Sequence, residues 1–170
     1  MKMEPHEFLL VLMDSVGGHV DGRTFLQKLA YFVALLTDPG EPDRLGYEAH
    51  YYGPYSETIA STMGALKSVG LVREEAHSYG PDPSGGFEVK RYDYGLTEDG
   101  KKVLARIKRA NQEEYTEVLT LCARVTKSKE LTYVGLSIAA KIVYLLLKEG
   151  RPLTLEAIRE RATGFTWTLP

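Results

Sequence analysis

Residues 66–100 read LKSVGLVREEAHSYGPDPSGGFEVKRYDYGLTEDG, and this stretch decides the fold. Gly70 stands where helices commonly end, because glycine adopts the left-handed conformation at that position without strain. Two runs with strand propensity, 71–74 and 87–94, flank a segment rich in Gly, Pro and Ser, which predicts a β-hairpin with a long tip. Thr97 is a good N-cap for the next helix, so the hairpin lies between two helices.

Three helices are predicted upstream of this hairpin, since apolar residues recur there at helical spacing. The first ends before two consecutive glycines, and Asp21 caps the second. A surface loop over 38–46 and an extended piece over 47–52 lead to the third helix. That helix covers about 57–69, and Ser56 is its predicted N-cap.

Further helices are predicted downstream. The helix after Thr97 extends to Cys122, and its polar middle, 108–114, either runs over solvent or bends. Ser128 caps a fifth helix that is apolar almost all round and must therefore be covered. A last short helix begins at Thr154. These last two helices read either as the first half of a helix-turn-helix or as a pair that packs on the main domain or on a second subunit.

The order of these elements, three helices, a hairpin and a further helix, resembles the winged helix-turn-helix domains of bacterial and archaeal regulators. The resemblance implies a mainly α fold with a small β-hairpin wing, in the α+β class. We expect a winged helix-turn-helix core over residues 1–100. Residues 101–170 then form a C-terminal helical extension that packs on the core or forms a dimer interface.

Three motifs carry a narrower resemblance: GRTFLQKLAY at 22–31, HYYGPYS at 50–56, and LT at 96–97. Together they are similar to the Panacea antitoxin-type domain and to YwgA-like proteins. These are winged-helix-type modules, some of them encoded beside toxin genes. The resemblance covers residues 20–100, about half of the chain, and it brings no catalytic residue with it.

The composition is typical of one globular domain, alone or with a small appendage. The 170 residues are 44% hydrophobic and 26% charged, and the single cysteine has no second cysteine for an internal disulfide. The N-terminus lacks a signal-peptide pattern, and the longest apolar stretch, 134–147, is shorter than the ~20 residues that span a bilayer. We therefore expect a cytoplasmic protein without membrane association.

Charge is divided unevenly along the chain. The formal net charge is −2, but residues 1–85 carry six basic and twelve acidic side chains, whereas residues 86–170 carry fifteen and eleven. A duplex-binding protein usually has a basic face, since phosphate neutralisation dominates its affinity. The overall charge therefore weakens the case for nucleic-acid binding without excluding it.

Catalytic, metal and cofactor chemistry are not indicated by the sequence. The four histidines lack the spacing of zinc motifs, and Cys122 lies on an apolar helix side, where cysteine usually packs as a small hydrophobe. The glycines at 85–86 lack the Gly-Lys-Ser/Thr sequel of a phosphate-binding loop. We expect that the protein is not an enzyme and that it needs no metal and no cofactor.

The first function that remains is a winged-helix DNA-binding protein, a transcriptional regulator that binds double-stranded DNA as a homodimer. Its candidate DNA contacts are hydroxyl and basic side chains on helix three and on the hairpin. They are Tyr55, Ser56, Thr58, Ser61, Lys67, Arg73, Lys90 and Arg91, with Lys101, Lys102, Arg106 and Arg109 as further candidates.

The alternative function is a protein-interaction module of the antitoxin-like type, without direct base readout. Helix three carries small residues such as Ala60 and Gly64, whereas a DNA-reading helix displays Arg, Lys, Asn or Gln. Small residues permit another helix to approach closely. The tyrosines of 47–55 either form a recognition surface or pack around the start of helix three. Under both functions we expect a homodimer, because the fifth helix offers more apolar surface than one small domain covers.

Overall fold

The computed structural model describes residues 3–81, 88–127 and 132–170, and it confirms a mainly helical α+β fold with a small antiparallel sheet. The described helices are α1 (Pro5–Ser15), α2 (Arg23–Thr37), α3 (Glu41–Arg44), α4 (Glu57–Ser68), α5 (Glu98–Ala110), α6 (Gln112–Thr126), α7 (Tyr133–Glu149) and α8 (Leu155–Thr163). The described strands are β1 (His19–Val20), β2 (Tyr47–His50), β3 (Gly53–Ser56), β4 (Val72–Pro81) and β5 (Glu88–Leu96). None of the described helices combines the length and the apolar character that a bilayer crossing requires.

The predicted hairpin is formed by β4 and β5, which pair antiparallel. β1 pairs with the other edge of β5, so the sheet has the order β1–β5–β4. Gly70 has a φ of +74°, and Thr97 accepts a hydrogen bond from the Gly100 amide at 3.0 Å, which confirms both predicted helix-end signals. The tip of the predicted hairpin, 82–87, lies outside the described residues.

Helix α1 lies at the centre of the molecule. Its residues 8–13 are fully buried, because α4, α5, α6 and the sheet pack around it. A helix that is apolar on every side must be covered on every side. Part of this cover comes from Val118 and Cys122 of α6, so the predicted extension contributes to the same core as the N-terminal helices.

The remaining C-terminal helices are anchored on α2 and on the β2–β3 hairpin. Helix α7 packs against α2 and β3, and α8 packs on α7. Leu145, Ile158, Ala162 and Trp167 form a second, smaller cluster of buried residues here. Trp167 donates its indole N–H to the His50 carbonyl at 2.6 Å. Helices α7 and α8 therefore pack on the main body, which was one of the alternatives for this pair.

Two predicted boundaries in the N-terminal half are wrong. Asp21 does not cap α2, because Gly22 occupies the N-cap position with a φ of +92° and no side chain caps the helix. The predicted loop 38–46 contains the one-turn helix α3, whose second residue is Pro42. Proline is well tolerated in a first helical turn, so this residue was compatible with a helix start.

The C-terminal half also differs in detail from the prediction. The fourth helix is divided at Asn111 into α5 and α6, which confirms that its polar middle bends. The predicted cap Ser128 lies outside the described residues, and Thr132 caps α7 instead. The expectation that the fifth helix is covered holds only in part, since Val134 and Leu147 are 45% and 52% exposed.

Candidate functional site

Helix α4 presents one side to solvent. Its apolar residues Ile59, Met63 and Leu66 share the other side and are buried, as their spacing of three and four residues requires. The exposed residues, which we call the α4 face, are Glu57, Thr58, Ser61, Gly64, Ala65, Lys67 and Ser68. No element in the described part of the chain covers this face.

A cleft of about 200 Å³ lies beside the α4 face, between α2, α4 and the sheet. Its apolar lining comes from Leu26, Ile59 and Met63, each of which is at most 3% exposed. The polar and charged lining comes from Arg23, Gln27, Tyr55, Lys67, Glu74 and Tyr94. The cleft therefore combines a buried apolar surface with charged groups.

Glu74 is the centre of the charged network in this cleft. Its carboxylate accepts hydrogen bonds from Lys67 Nζ at 2.6 Å and from Arg23 Nη2 at 3.2 Å. Burial opposes the charge of Glu74, but the bonds from Lys67 and Arg23 outweigh it and lower the pKa of this carboxyl. Arg23 also donates to the Tyr94 hydroxyl at 3.0 Å and lies over the ring of Tyr92. Two cations thus share one carboxylate.

The first two sequence motifs meet in a buried contact between α2 and the β2–β3 hairpin, which we call the α2–hairpin joint. Gln27 donates its side-chain amide to the Ser56 carbonyl at 2.9 Å and accepts from the Ser56 amide at 3.0 Å. Lys28 donates to the Pro54 carbonyl at 2.6 Å. Burial, together with the nearby charge of Lys141, lowers the pKa of Lys28 to about 8. These motif residues therefore hold the hairpin against α2.

The predicted DNA contacts on α4 do not all reach solvent. Ser56, a predicted DNA contact, is fully buried, and its hydroxyl donates to the Leu45 carbonyl and accepts from the Ile59 amide, so it is not available to a duplex. Tyr55 is half-buried and donates to the Glu57 carboxylate at 3.2 Å. Thr58 and Ser61 are exposed on the α4 face. The structure thus leaves two of these four hydroxyl residues on an open surface.

The predicted DNA contacts on the β4–β5 hairpin are Arg73, Lys90 and Arg91, and the two arginines are paired with carboxylates. Arg73 Nε lies 3.0 Å from Glu75 Oε1, and Arg91 Nη2 lies 2.7 Å from Asp93 Oδ2. Arg91 and Asp93 occupy the outer face of the sheet, because the β5 residues that face the cleft take the alternate positions. Lys90 lies on β5, with its side chain outside the described part of the structure. Of the hairpin cations whose side chains are described, Arg73 and Arg91, neither extends the α4 face into one basic surface.

The tyrosines of 47–55 divide between the two predicted roles. Tyr47 is buried, and its hydroxyl donates to the Gln27 carbonyl at 2.9 Å. Tyr51 and Tyr52 are 64% and 61% exposed between β2 and β3. Packing thus accounts for Tyr47, whereas the other two offer exposed aromatic surface.

Sequence reasoning missed Arg23 and Tyr94 as residues of the cleft. They are 71 positions apart in the sequence. They meet because β1, which directly precedes α2, pairs with β5, the strand that carries Tyr94. One signal was available for Arg23, which is the first residue of α2. A cation is unfavourable at a helix N-terminus, so an arginine there suggests a partner from another element.

No family model matches the chain. The chain is 33% identical over 104 residues to an uncharacterized protein, YwgA, of Bacillus subtilis strain 168. The aligned stretch covers 61% of this chain and 55% of the relative, so the chain spans about half the length of the curated relative it matches. The predicted similarity to YwgA is confirmed to this extent.

Proposed function

We propose that the chain is a winged-helix protein that binds a protein partner through the α4 face and its adjacent cleft. The order α1, β1, α2, α4, β4, β5 supports the winged-helix assignment, with α3, β2 and β3 in an insertion before α4. The three-stranded sheet β1–β5–β4 agrees with a wing joined to a helical core. In such a scaffold α4 is the helix that is offered to a ligand.

The pairing of the cations beside α4 with a carboxylate is the observation that carries the proposal. Lys67 and Arg23 share the Glu74 carboxylate, and Arg73, on the opposite face of the sheet, is paired with Glu75. Affinity for a duplex comes largely from cations that neutralise phosphates, and cations already paired with carboxylates must first lose those partners. Binding of a protein partner does not require these cations to leave their carboxylates.

The cleft indicates the chemistry of the partner. Its buried apolar lining suits one apolar side chain of an approaching helix, since helix-in-groove recognition places such anchors in hydrophobic clefts. Gly64 and Ala65 have no bulk that would hold that helix away. Two cations for one carboxylate favour an acidic group beside the anchor. We therefore expect an amphipathic helix with an apolar anchor flanked by Asp or Glu.

Substitution of Gly64 by arginine separates this proposal from DNA binding. A Cβ at Gly64 meets no atom within 4 Å, so Gly64→Arg is tolerated by the fold, but its long side chain blocks a partner helix and adds a cation. Ala123→Arg, on the exposed side of α6, is the matched control. Affinity capture followed by quantitative mass spectrometry should show a stoichiometric partner that Gly64→Arg reduces at least tenfold and Ala123→Arg retains.

The same proteins are then passed over mixed duplex DNA at ~50 mM salt. We expect no salt-dependent retention of the wild type. Retention that falls steeply with added salt and increases in Gly64→Arg, with no partner sensitive to that substitution, would contradict the proposal and favour the DNA-binding regulator.

One observation favours DNA binding as the second candidate function. Helix α5 follows the hairpin and exposes a group of basic side chains, namely Lys101, Lys102, Arg106, Lys108 and Arg109. Lys101 and Lys102 pair with Glu98 and Asp99. Under this function, Arg106→Glu should weaken duplex binding equally for all DNA sequences. It should also reduce the slope of log K against log salt concentration by about one, the value for one lost phosphate contact.

The homodimer also remains a proposal, which rests on the exposed apolar residues of α7. Tyr133 and Val134 lie at the start of this helix and are 63% and 45% exposed. Sedimentation equilibrium at micromolar concentration should give twice the 19.0 kDa chain mass, and Val134→Glu should shift the protein toward the monomer. A wild type that sediments only as a monomer would exclude the dimer.

A further inference from the structure

Three side chains from two strands converge on the outer face of the sheet, away from the α4 face. His19 lies on β1, Asp21 directly follows that strand, and Asp93 lies on the central strand β5. Each of them offers a ligating atom, and these atoms all lie within 4.8 Å of one another. His19 Nε2 is 2.9 Å from Asp21 Oδ1. We call these three residues the β1–β5 cluster.

The carboxylate of Asp93 is buried and only half satisfied. Asp93 is 2% exposed. Its Oδ2 accepts a hydrogen bond from Arg91 Nη2 at 2.7 Å and lies 3.3 Å from His77 Nε2. Its Oδ1 is buried and accepts no hydrogen bond from any residue that the structure describes. A buried acceptor without a partner is costly and needs a cause.

The arrangement of the strands suggests what Oδ1 serves. Arg91 and His77 hold Oδ2, and His77 belongs to β4, on one side of β5. β1, which supplies His19 and Asp21, lies on the other side of β5. A carboxylate oxygen of Asp93 lies within 4.8 Å of the ligating atoms of His19 and Asp21, and Oδ1 is the oxygen that no described residue uses. A cation held there would satisfy it.

We propose that the β1–β5 cluster binds a divalent transition-metal cation of the zinc type. One imidazole and two carboxylates form a ligand set that Zn²⁺ accepts at about 2.0–2.2 Å. Ligand atoms of a tetrahedral site at that bond length are about 3.3–3.6 Å apart. The separations in the cluster, from 2.9 Å to below 4.8 Å, bracket this value.

The site would combine two exposed ligands that can adjust their position with one buried ligand that is held in place. The side chains of His19 and Asp21 are 49% and 68% exposed, so they can move by the roughly 1 Å that the larger separations require. Asp93 is fixed, since Arg91 and His77 orient its carboxylate in the way that outer hydrogen-bond partners orient metal ligands. Three protein ligands leave the fourth position to water.

Isothermal titration of the untagged, EDTA-treated chain with ZnCl₂ tests the site. We expect one equivalent of Zn²⁺ to bind, and we expect its affinity to fall at least tenfold in His19→Ala and in Asp21→Ala. The matched controls are His6→Ala and Asp99→Ala, which remove an exposed histidine and an exposed carboxylate elsewhere. These controls should bind as the wild type does.

Thermal unfolding and cobalt absorption spectra provide two further measurements of the site. Zn²⁺ should raise the Tm of the wild type more than that of His19→Ala at the same concentration, because a ligand stabilises the state that binds it in proportion to its affinity. Co²⁺ in place of Zn²⁺ should give the visible absorption of a tetrahedral centre. Absence of binding by the wild type, or unchanged affinity in both His19→Ala and Asp21→Ala, overturns the proposal. Asp93→Asn is less informative, since it also alters the buried pair with Arg91.

Discussion

At the scale of single residues, the α2–hairpin joint explains why the motif around Gln27 occurs together with the motif from Gly53 to Ser56. The side-chain amide of Gln27 offers one donor and one acceptor in a plane, and these match the carbonyl and the amide of Ser56. Gly53 has a φ of +101°, and a Cβ there would lie 3.1 Å from Lys141 Cγ. Only glycine meets both conditions without strain.

Gln27→Leu should therefore destabilise the fold, although leucine and glutamine side chains have similar volumes. It leaves two buried backbone groups of Ser56 without their side-chain partner, and each unsatisfied group costs about 1–3 kcal/mol. We expect a loss of about 2–4 kcal/mol in the free energy of unfolding, measured by urea denaturation. Gln112→Leu, on the exposed side of α6, should change it by less than about 0.5 kcal/mol.

Lys28 should give the protein an unusual pH dependence. Burial and Lys141 lower its folded-state pKa to about 8, below the value of 10.5 for an unperturbed lysine. Between these values the unfolded chain binds the proton and the folded chain does not, so stability rises with pH. We expect a gain of about 2 kcal/mol between pH ~7 and ~9.5 in denaturation curves, since one pKa unit corresponds to about 1.4 kcal/mol.

The lysine itself must be the source of that gain. Lys28→Met should flatten the rise, whereas Lys101→Met, on an exposed α5 residue, should retain it. A pH dependence of stability in Lys28→Met that equals that of the wild type would show that Lys28 is not neutralised on folding. The comparison stops short of pH 10, because tyrosines ionise above it in the unfolded chain.

At the scale of elements, two helical glycines should respond to alanine with opposite signs. Gly100 lies in the first turn of α5, where a Cβ would clash with the Leu71 carbonyl oxygen. Gly64 lies inside α4 with open space around it. Gly100→Ala should cost about 2–3 kcal/mol through overpacking, and Gly64→Ala should add about 0.5–1 kcal/mol through helix propensity.

Thermal unfolding of the two alanine variants provides the measurement. The wild type should melt between them. If Gly100→Ala melted at or above the wild type, the close packing of α5 against the residue before β4 would be disproved.

The elements differ in how much of their structure could be predicted from sequence. Caps such as Thr97 and the C-terminal glycine of α4 act within four residues, so the local sequence is sufficient to predict them. The two-residue strand β1 has no pattern of its own and exists only because β5 offers it an edge. Ser56 illustrates the same limit, since its N-cap role was predicted but its burial comes from α2.

The candidate sites depend on the same non-local information. The cleft joins Arg23 of α2 to Glu74 of β4, and the β1–β5 cluster joins His19 to Asp93 of β5. Zinc motifs that sequence inspection recognises place their ligands on one local element at fixed spacing. Ligands contributed by paired strands follow the register of the sheet, which could not be read from the chain alone.

At the scale of the whole molecule, the described residues form one large buried cluster and one small one. The large cluster unites α1, α2 and α4 with α5 and α6, so it crosses the boundary predicted at residue 100. The small cluster joins α8 and Trp167 to the second half of α7. Buried apolar area sets the free energy of local opening, so the small cluster should open at lower cost than the large one.

Trp167 is the single tryptophan of the chain, and its fluorescence therefore reports on this small cluster alone. In a urea titration we expect the Trp167 emission to change at a lower concentration than the far-UV circular dichroism, which follows all the helices. Ile158→Ala should shift only the fluorescence midpoint, because it empties a position inside the small cluster. Leu12→Ala, in the centre of α1, should lower both midpoints. If the two signals coincided in the wild type and moved together in Ile158→Ala, then α8 and the core would unfold as one cooperative unit.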